Sequence, residues 1–121
     1  MKVIKVKNYD EVSAEAFKVM KEVVTSKKDA VLGLATGSSP IGLYENMIKD
    51  HKENGTSYAQ CQSFNLDEYV GIDRNHEQSY WTFMHEIYSM ELICRKIKFM
   101  FHMEIQKKIA KLMKKQWKMY R

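Results

Sequence analysis

The stretch Ala30-Val31-Leu32-Gly33-Leu34-Ala35-Thr36-Gly37-Ser38-Ser39-Pro40 decides the fold of this chain. Its first six residues form a continuous apolar run of strand length, which is typical of a parallel strand covered on both faces by helices. The next four residues form a turn, and Pro40 suits the first turn of a helix, where its missing N–H costs nothing. The sequence therefore predicts a buried strand, a turn, and a helix from Ile41 to about Lys52.

The flanking sequence extends this pattern in both directions. Residues 2–7 place apolar side chains between lysines and predict a short strand. The spacing of apolar residues predicts a helix from Tyr9 to about Lys27, with Asp10 or Ser13 as its cap. A third strand is predicted over residues 62–66, and a further helix begins at Ser79. This alternation of strands and helices is typical of a layered α/β domain with a βαβ core.

Charge divides the chain into two parts, although its 121 residues carry a net charge of +5. Residues 1–86 hold 10 Lys and Arg against 13 Asp and Glu, whereas residues 87–121 hold 10 against 2. No apolar run approaches the roughly 20 residues that span a bilayer, and the N-terminus does not form a signal peptide. Cys61 and Cys94 suit neither a disulfide framework nor a zinc site. We therefore expect a cytoplasmic protein without a membrane partner, whose character changes at residue 87.

The turn formed by Thr36, Gly37, Ser38 and Ser39 is a candidate anion site. The first N–H groups of a helix lack internal partners, and the helix dipole favours negative charge there. The turn lacks both the lysine of a Walker A loop and the GxGxxG spacing of a dinucleotide site. From the residues alone, an ordinary strand-to-helix turn stays open as the alternative, because Ser and Gly are common in turns.

Asp67 is a candidate general base. It follows the third predicted strand, and open α/β sheets bind ligands at the carboxyl ends of their strands. A carboxylate placed there can exchange a proton with a substrate. The alternative for the Asp67-Glu68 pair is a solvated loop or a helix cap. The four histidines show no metal-ligand spacing, so no metal site is predicted.

Three motifs closely resemble the N-terminal part of the glucosamine-6-phosphate deaminase family. They are AVLGLATGSSPIGLY at residues 30–44, QSFNLDEYVGI at residues 62–72, and HEQSY at residues 76–80 followed by Phe83-Met84. The resemblance covers about residues 1–86 and implies the N-terminal part of a Rossmann-like α/β sandwich. 6-Phosphogluconolactonase shares that fold and a similar phosphate loop, but the NLDEYVG stretch favours the deaminase.

The resemblance also implies an activity, the conversion of glucosamine 6-phosphate to fructose 6-phosphate and ammonia without a cofactor. It implies that Thr36, Gly37, Ser38 and Ser39 hold the sugar phosphate. It further implies that Asp67 takes the C2 proton and delivers it to C1 as the aldose becomes a ketose. The expected partner is a small sugar phosphate and not a nucleic acid, and full-length family members are candidates for oligomers.

Residues 87–121 depart from this family. Its members continue with a GxxxDGHIAFNEP-like segment, whose Asp, His and Glu assist ring opening, and with an Arg and a Lys at the phosphate site. None of these has a counterpart here, so the chain as written is expected to be truncated and inactive. Our hypothesis for this change is the loss of one base from an A-run that begins in the Glu86 codon, because shifting the tail by one base permits a family-like continuation. In that frame Met90-Glu91 and Met103-Glu104 become glycines, and Met113-Lys114 becomes glutamate.

A second interpretation treats the tail as selected protein. Its apolar residues recur at helical spacing beside six lysines, which is typical of a basic amphipathic helix on anionic lipid or nucleic acid. The apolar stripe is Ile105, Ile109, Leu112, Met113 and Trp117. This interpretation predicts a non-catalytic α/β fragment with a basic arm.

Overall fold

The computed structural model describes residues 1–65, 67–69, 71–88 and 111–115. Within these ranges the chain forms α1 (Tyr9–Ser26), β1 (Val31–Leu34), α2 (Ile41–Asn54), β2 (Gln62–Asn65) and α3 (Tyr80–Tyr88). The mixture of helices and strands in this order confirms the predicted α/β class. Residues 111–115 are helical and exposed, and the rest of the predicted basic helix lies outside the described residues.

β1 and β2 pair in parallel, and α2 connects them, which is the predicted βαβ unit. Leu32 is the partner of Ser63, and Leu34 is the partner of Asn65, so both strands end at the same edge of the sheet. Leu32 and Leu34 are 5% exposed, whereas Val31 is 60% exposed. The prediction that β1 is covered on both faces is therefore wrong for the described residues, because their helices cover only one face.

The core lies between that covered face and the three helices. Its buried apolar members are Val24, Ala30, Leu32, Leu34, Tyr44, Met47, Tyr58, Cys61 and Met84. Burial raises the pKa of the Cys61 thiol, which favours its neutral form. Cys94 lies outside the described residues. None of the helices in the described ranges has the length and apolar character needed to cross a membrane.

The N-terminal segment differs from its prediction. Residues 2–7 form no strand, and Val3 and Ile4 are 66% and 47% exposed. A strand needs a neighbour for its N–H and C=O groups, and in the described part of the chain β1 and β2 pair only with each other. Asn8 caps α1, because its side-chain oxygen accepts a 3.0 Å hydrogen bond from the Glu11 N–H. The prediction of Asp10 or Ser13 as the cap is therefore wrong.

Candidate active site

Two loops leave the same edge of the sheet. Leu34 and Asn65 are partners at the ends of β1 and β2, so the loop of residues 36–39 and the loop that holds Asp67 emerge side by side. The first loop leads directly into α2, whose N-terminus therefore lies at this edge. The structure thus brings the two predicted groups of site residues to one place.

The loop of residues 36–39 presents an open row of backbone donors. The N–H groups of Gly37, Ser38 and Ser39 donate no hydrogen bond to any described residue. Gly37 has φ +98°, a conformation that residues with a side chain rarely adopt, although a Cβ there would meet no atom within 4 Å. The restriction at Gly37 is therefore conformational. Unpaired N–H groups at the start of a 14-residue helix form a cradle suited to an anion.

Two tyrosine hydroxyl groups hold this loop in place. The buried Tyr44 Oη donates to the Ala35 C=O at 2.8 Å and accepts from the Ala35 N–H at 3.0 Å. Tyr9 Oη donates to the Ser38 C=O at 3.0 Å and accepts from the Gly42 N–H at 2.8 Å. Neither Tyr9 nor Tyr44 is among the site residues predicted from the sequence. Tyr44 lies on the apolar side of the predicted helix, and a buried tyrosine hydroxyl needs a hydrogen-bond partner. This position was the sequence feature that could have identified Tyr44.

Gly42 allows α1 to reach the loop. A Cβ built at Gly42 would lie 2.9 Å from the Ser13 Cβ and 3.0 Å from the Tyr9 Cε1, and it would also overlap the Ser13 Oγ. The missing side chain therefore permits the close approach that places Tyr9 over the start of α2. Glycine is a poor helix former, so a glycine in the first turn of a helix needs another reason to be there. The sequence thus offered one signal of a close contact at Gly42.

The two adjacent carboxylates of Asp67 and Glu68 have different surroundings. Glu68 Oε1 accepts a hydrogen bond from the Tyr80 N–H, and Glu68 Oε2 accepts one from the Trp81 N–H, each at 3.0 Å. Glu68 is therefore the helix cap that the sequence left open as an alternative. Asp67 is exposed and accepts no hydrogen bond from any described residue. Of the pair, Asp67 has the carboxylate that accepts no hydrogen bond from a described residue.

An aromatic pair lies beside these carboxylates. The rings of Tyr69 and Tyr80 are 5.0 Å apart, and the Tyr80 hydroxyl donates to the Tyr69 hydroxyl at 3.4 Å. This hydrogen bond raises the pKa of Tyr80, and the negative charges of Asp67 and Glu68 add to the effect. Asp67 therefore lies within electrostatic reach of Tyr80. Across the ranges that the structure describes, no three acidic, histidine or cysteine side chains converge to hold a metal ion.

Comparisons with known proteins point to one kind of enzyme. A glucosamine-6-phosphate deaminase of Halalkalibacterium halodurans is 48% identical over 86 residues, which are 71% of this chain and 35% of that protein. Glucosamine-6-phosphate deaminase 2 of Bacillus subtilis is 45% identical over 86 residues, 71% of this chain and 34% of that protein. The chain thus spans about a third of the length of these relatives.

The fold agrees with these relatives. A solved structure of a monomeric glucosamine-6-phosphate deaminase of the NagB superfamily matches with a TM-score of 0.73 and 34% identity. The match covers 78% of this chain and 39% of that one. No protein-family profile matches the chain. Over about its first 70%, the chain is therefore homologous to the glucosamine-6-phosphate deaminases.

Proposed function

We propose that this chain is the N-terminal, phosphate-binding part of a glucosamine-6-phosphate deaminase of amino-sugar catabolism in the cytoplasm. The observation that carries the proposal is the shared sheet edge. There the unpaired N–H groups of Gly37, Ser38 and Ser39 lie beside the loop of Asp67, which is the free carboxylate of its pair. At such an edge the N–H groups can bind a dianionic phosphate, and the carboxylate can take a proton from a carbon of the same ligand.

In this proposal the cradle holds the 6-phosphate through backbone N–H groups, with the Thr36, Ser38 and Ser39 hydroxyl groups as further donors. Asp67 takes the C2 proton of the ring-opened substrate and returns it to C1, while the 2-amino group loses one proton and O1 gains one. The C1 aldehyde thereby becomes an alcohol and C2 becomes an imine. Water then adds to C2, and the nitrogen leaves as ammonia to give fructose 6-phosphate. One carboxylate can serve both carbons because they are adjacent on one face of the substrate.

The deaminase function is favoured over the two alternatives. The relatives described above are named deaminases, and their similarity lies in the N-terminal part of the chain that holds the loop and Asp67. A basic arm on lipid or nucleic acid has no support from these relatives. Because the chain spans about a third of their length, we assign the complete reaction to a family-length protein and only ligand binding to the 121 residues.

A titration tests the binding half of the proposal. The ¹⁵N-labelled chain is titrated with fructose 6-phosphate and, as the matched control, with fructose. We expect the amide signals of Gly37, Ser38 and Ser39 to shift with the phosphate ester only. Equal responses to both sugars, or none to either, would contradict phosphate binding at this loop.

A second experiment tests the reading frame and the activity. We propose that residues 87–121 are read out of frame, which is supported by relatives that match 86 residues of the chain. Resequencing across the codons of Met84 to Tyr88 is expected to reveal one additional A, and an unchanged sequence would contradict this proposal. In the restored full-length protein, Asp67→Asn should lower kcat for ammonia release at least about 100-fold. Asp73→Asn, an exposed carboxylate nearby, is the control and should leave kcat unchanged.

A further inference from the structure

We infer that Tyr9 is a positioning residue that aims the Ser39 N–H at the bound phosphate and keeps the Gly42 N–H from it. The inference rests on the proposed function, since it assigns a role at the same loop. It concerns a residue on α1, which lies outside the three motifs at residues 30–44, 62–72 and 76–80. The role follows from the direction of two hydrogen bonds and from the geometry of one peptide.

The first step concerns the orientation of the Ser38–Ser39 peptide. Tyr9 Oη donates to the Ser38 C=O at 3.0 Å, which turns that carbonyl toward α1. The C=O of Ser38 and the N–H of Ser39 belong to one planar trans unit, so they point in opposite directions. The Ser39 N–H therefore faces away from α1, on the open side of the loop. Without the tyrosine hydroxyl, the Ile41 N–H is the remaining donor to the Ser38 carbonyl, at a weak 3.4 Å.

The second step concerns which donors a phosphate can use. Pro40 has no N–H, the Ile41 N–H is directed at the Ser38 C=O, and the Gly42 N–H donates to Tyr9 Oη at 2.8 Å. Residues 40–42 therefore offer a ligand no free N–H group. The hydroxyl of Tyr9 thus occupies one donor at the start of α2 and orients one donor in the loop. In the loop itself, the N–H groups of Gly37, Ser38 and Ser39 stay available to an anion.

The Tyr9→Phe variant isolates this role. Tyr9 is 47% exposed, so its ring contributes less to the core than a buried tyrosine, and the variant keeps the ring against Gly42. Thr25→Val is the matched control, because it removes a hydroxyl from the same helix whose hydrogen bonds go only to the Lys21 and Glu22 carbonyls. Both variants are compared with the unaltered 121-residue chain.

Three quantities are measured on the ¹⁵N-labelled proteins. They are the Kd for inorganic phosphate and for fructose 6-phosphate, the residual dipolar coupling of the Ser39 N–H, and the hydrogen-exchange rate of the Gly42 amide. For Tyr9→Phe we expect Kd to rise about five- to tenfold, as the loss of one or two hydrogen bonds implies. We also expect the Ser39 coupling to change and the Gly42 amide to exchange faster. Thr25→Val should leave all three unchanged.

The outcomes separate this inference from the proposed function. If Gly42 exchanges faster but Kd and the Ser39 coupling are unchanged, Tyr9 only joins two helices and the inference is wrong. If the unaltered chain binds neither probe, phosphate binding itself is contradicted for this chain. The Ser39 coupling then decides alone: an unchanged value overturns the inference, and a changed value supports the orienting role.

Discussion

The Tyr44 hydroxyl holds both backbone polar groups of Ala35, donating to the C=O at 2.8 Å and accepting from the N–H at 3.0 Å. Ala35 is the residue at which β1 gives way to the candidate phosphate loop, and Tyr44 lies one turn into α2. The contact therefore fixes the distance between the end of the strand and the helix that follows. The loop of residues 36–39 connects Ala35 to the start of α2, and this hydrogen-bonded pair therefore limits its conformation.

Tyr44→Phe should destabilise the chain, because it leaves the N–H and C=O of Ala35 without this partner. The expected loss in the free energy of unfolding is about 1 to 2 kcal/mol. Urea denaturation at neutral pH measures it. Tyr80→Phe, in which a partly exposed hydroxyl is lost, is the control and should cost less than about 0.5 kcal/mol. A Tyr44→Phe loss no larger than that of the control would mean that water replaces the hydroxyl.

The buried Tyr44 hydroxyl also predicts that the free energy of unfolding depends on pH in the alkaline range. Burial raises the pKa of Tyr44 from 10.0 to about 12, although its hydrogen bond with Ala35 acts in the opposite direction. A group with a raised pKa in the folded state stabilises the fold fully below its unfolded pKa, and this stability is lost as the pH rises through the folded pKa. The free energy of unfolding should therefore fall between pH 10 and about 12. The fall should be smaller in Tyr44→Phe, and identical pH curves would be evidence against a buried phenol.

Gly42→Ala should destabilise the chain even though alanine is the better helix former. The new Cβ would lie 2.9 Å from the Ser13 Cβ, so α1 must move away from the start of α2. Overpacking of this kind costs about 1 to 3 kcal/mol, which exceeds the gain in helix propensity. Glu45→Ala, an exposed position on the same helix, is the control. Thermal unfolding of the two variants should show a lower midpoint only for Gly42→Ala.

The double variant Ser13→Gly/Gly42→Ala distinguishes the steric cause from others. Removing the Ser13 side chain makes room for the new methyl group, so the two substitutions should be less harmful together than the sum of their separate effects. A double-mutant cycle measures this coupling. Additive effects would show that Ser13 is not what Gly42 accommodates.

Apolar patterns and turn residues predicted α1, β1, α2, β2 and the start of α3, because each of these elements buries apolar side chains in a shared core. It failed where the outcome depends on neighbours. Residues 2–7 have the composition of a strand but find no neighbouring strand among the described residues, and Val31 has no cover on its side of the sheet. A sequence pattern reports which face is apolar, but it does not report what is present to cover it.

The candidate site was predictable to a similar degree. The turn residues and the acidic pair follow directly from their positions after two strands, but the separate roles of Asp67 and Glu68 do not. Those roles depend on where the N-terminus of α3 lies, since its N–H groups engage Glu68 from 12 and 13 residues away. The role of Tyr9 could likewise not be predicted from the sequence, because its partners Ser38 and Gly42 are 29 and 33 residues distant along the chain.

Glu68→Ala should loosen α3. The Glu68 carboxylate accepts hydrogen bonds from the N–H groups of Tyr80 and Trp81 at the helix N-terminus. Negative charge there also interacts favourably with the helix dipole. Loss of such a cap costs about 1 kcal/mol. Amide hydrogen exchange of Tyr80 and Trp81 should accelerate, whereas Glu77→Ala, an exposed acidic residue in the preceding turn, should leave it unchanged. Equal exchange in both variants would show that Glu68 does not cap α3 in solution.

Lys21→Met should be the most damaging of the charge substitutions on α1. Asp50 is 4% exposed, and its Oδ1 accepts hydrogen bonds from Lys21 Nζ at 2.9 Å and Asn54 Nδ2 at 2.6 Å. Burial by itself would raise the pKa of Asp50, but hydrogen bonding with Thr56, Lys21 and Asn54 and the Lys21 charge lower it. Removing the lysine leaves a buried carboxylate without its counter-ion, which should lower the free energy of unfolding by about 2 to 3 kcal/mol. The loss is smaller than for a fully buried pair because the Lys21 side chain is 41% exposed.

The matched control is Lys18→Met, which breaks an exposed ion pair with Glu15 on the same helix and should cost less than about 0.5 kcal/mol. Since the folded pKa of Asp50 is lowered, its stabilising contribution is complete above about pH 4 and is lost as the pH falls further. Urea denaturation at pH 7 should therefore separate Lys21→Met clearly from the unaltered chain. At about pH 3 the difference should shrink, because loss of the Lys21 charge lets the carboxylate of the variant take up a proton more readily. A difference that is the same at both pH values would mean that Lys21 acts through its aliphatic stem and not through its charge.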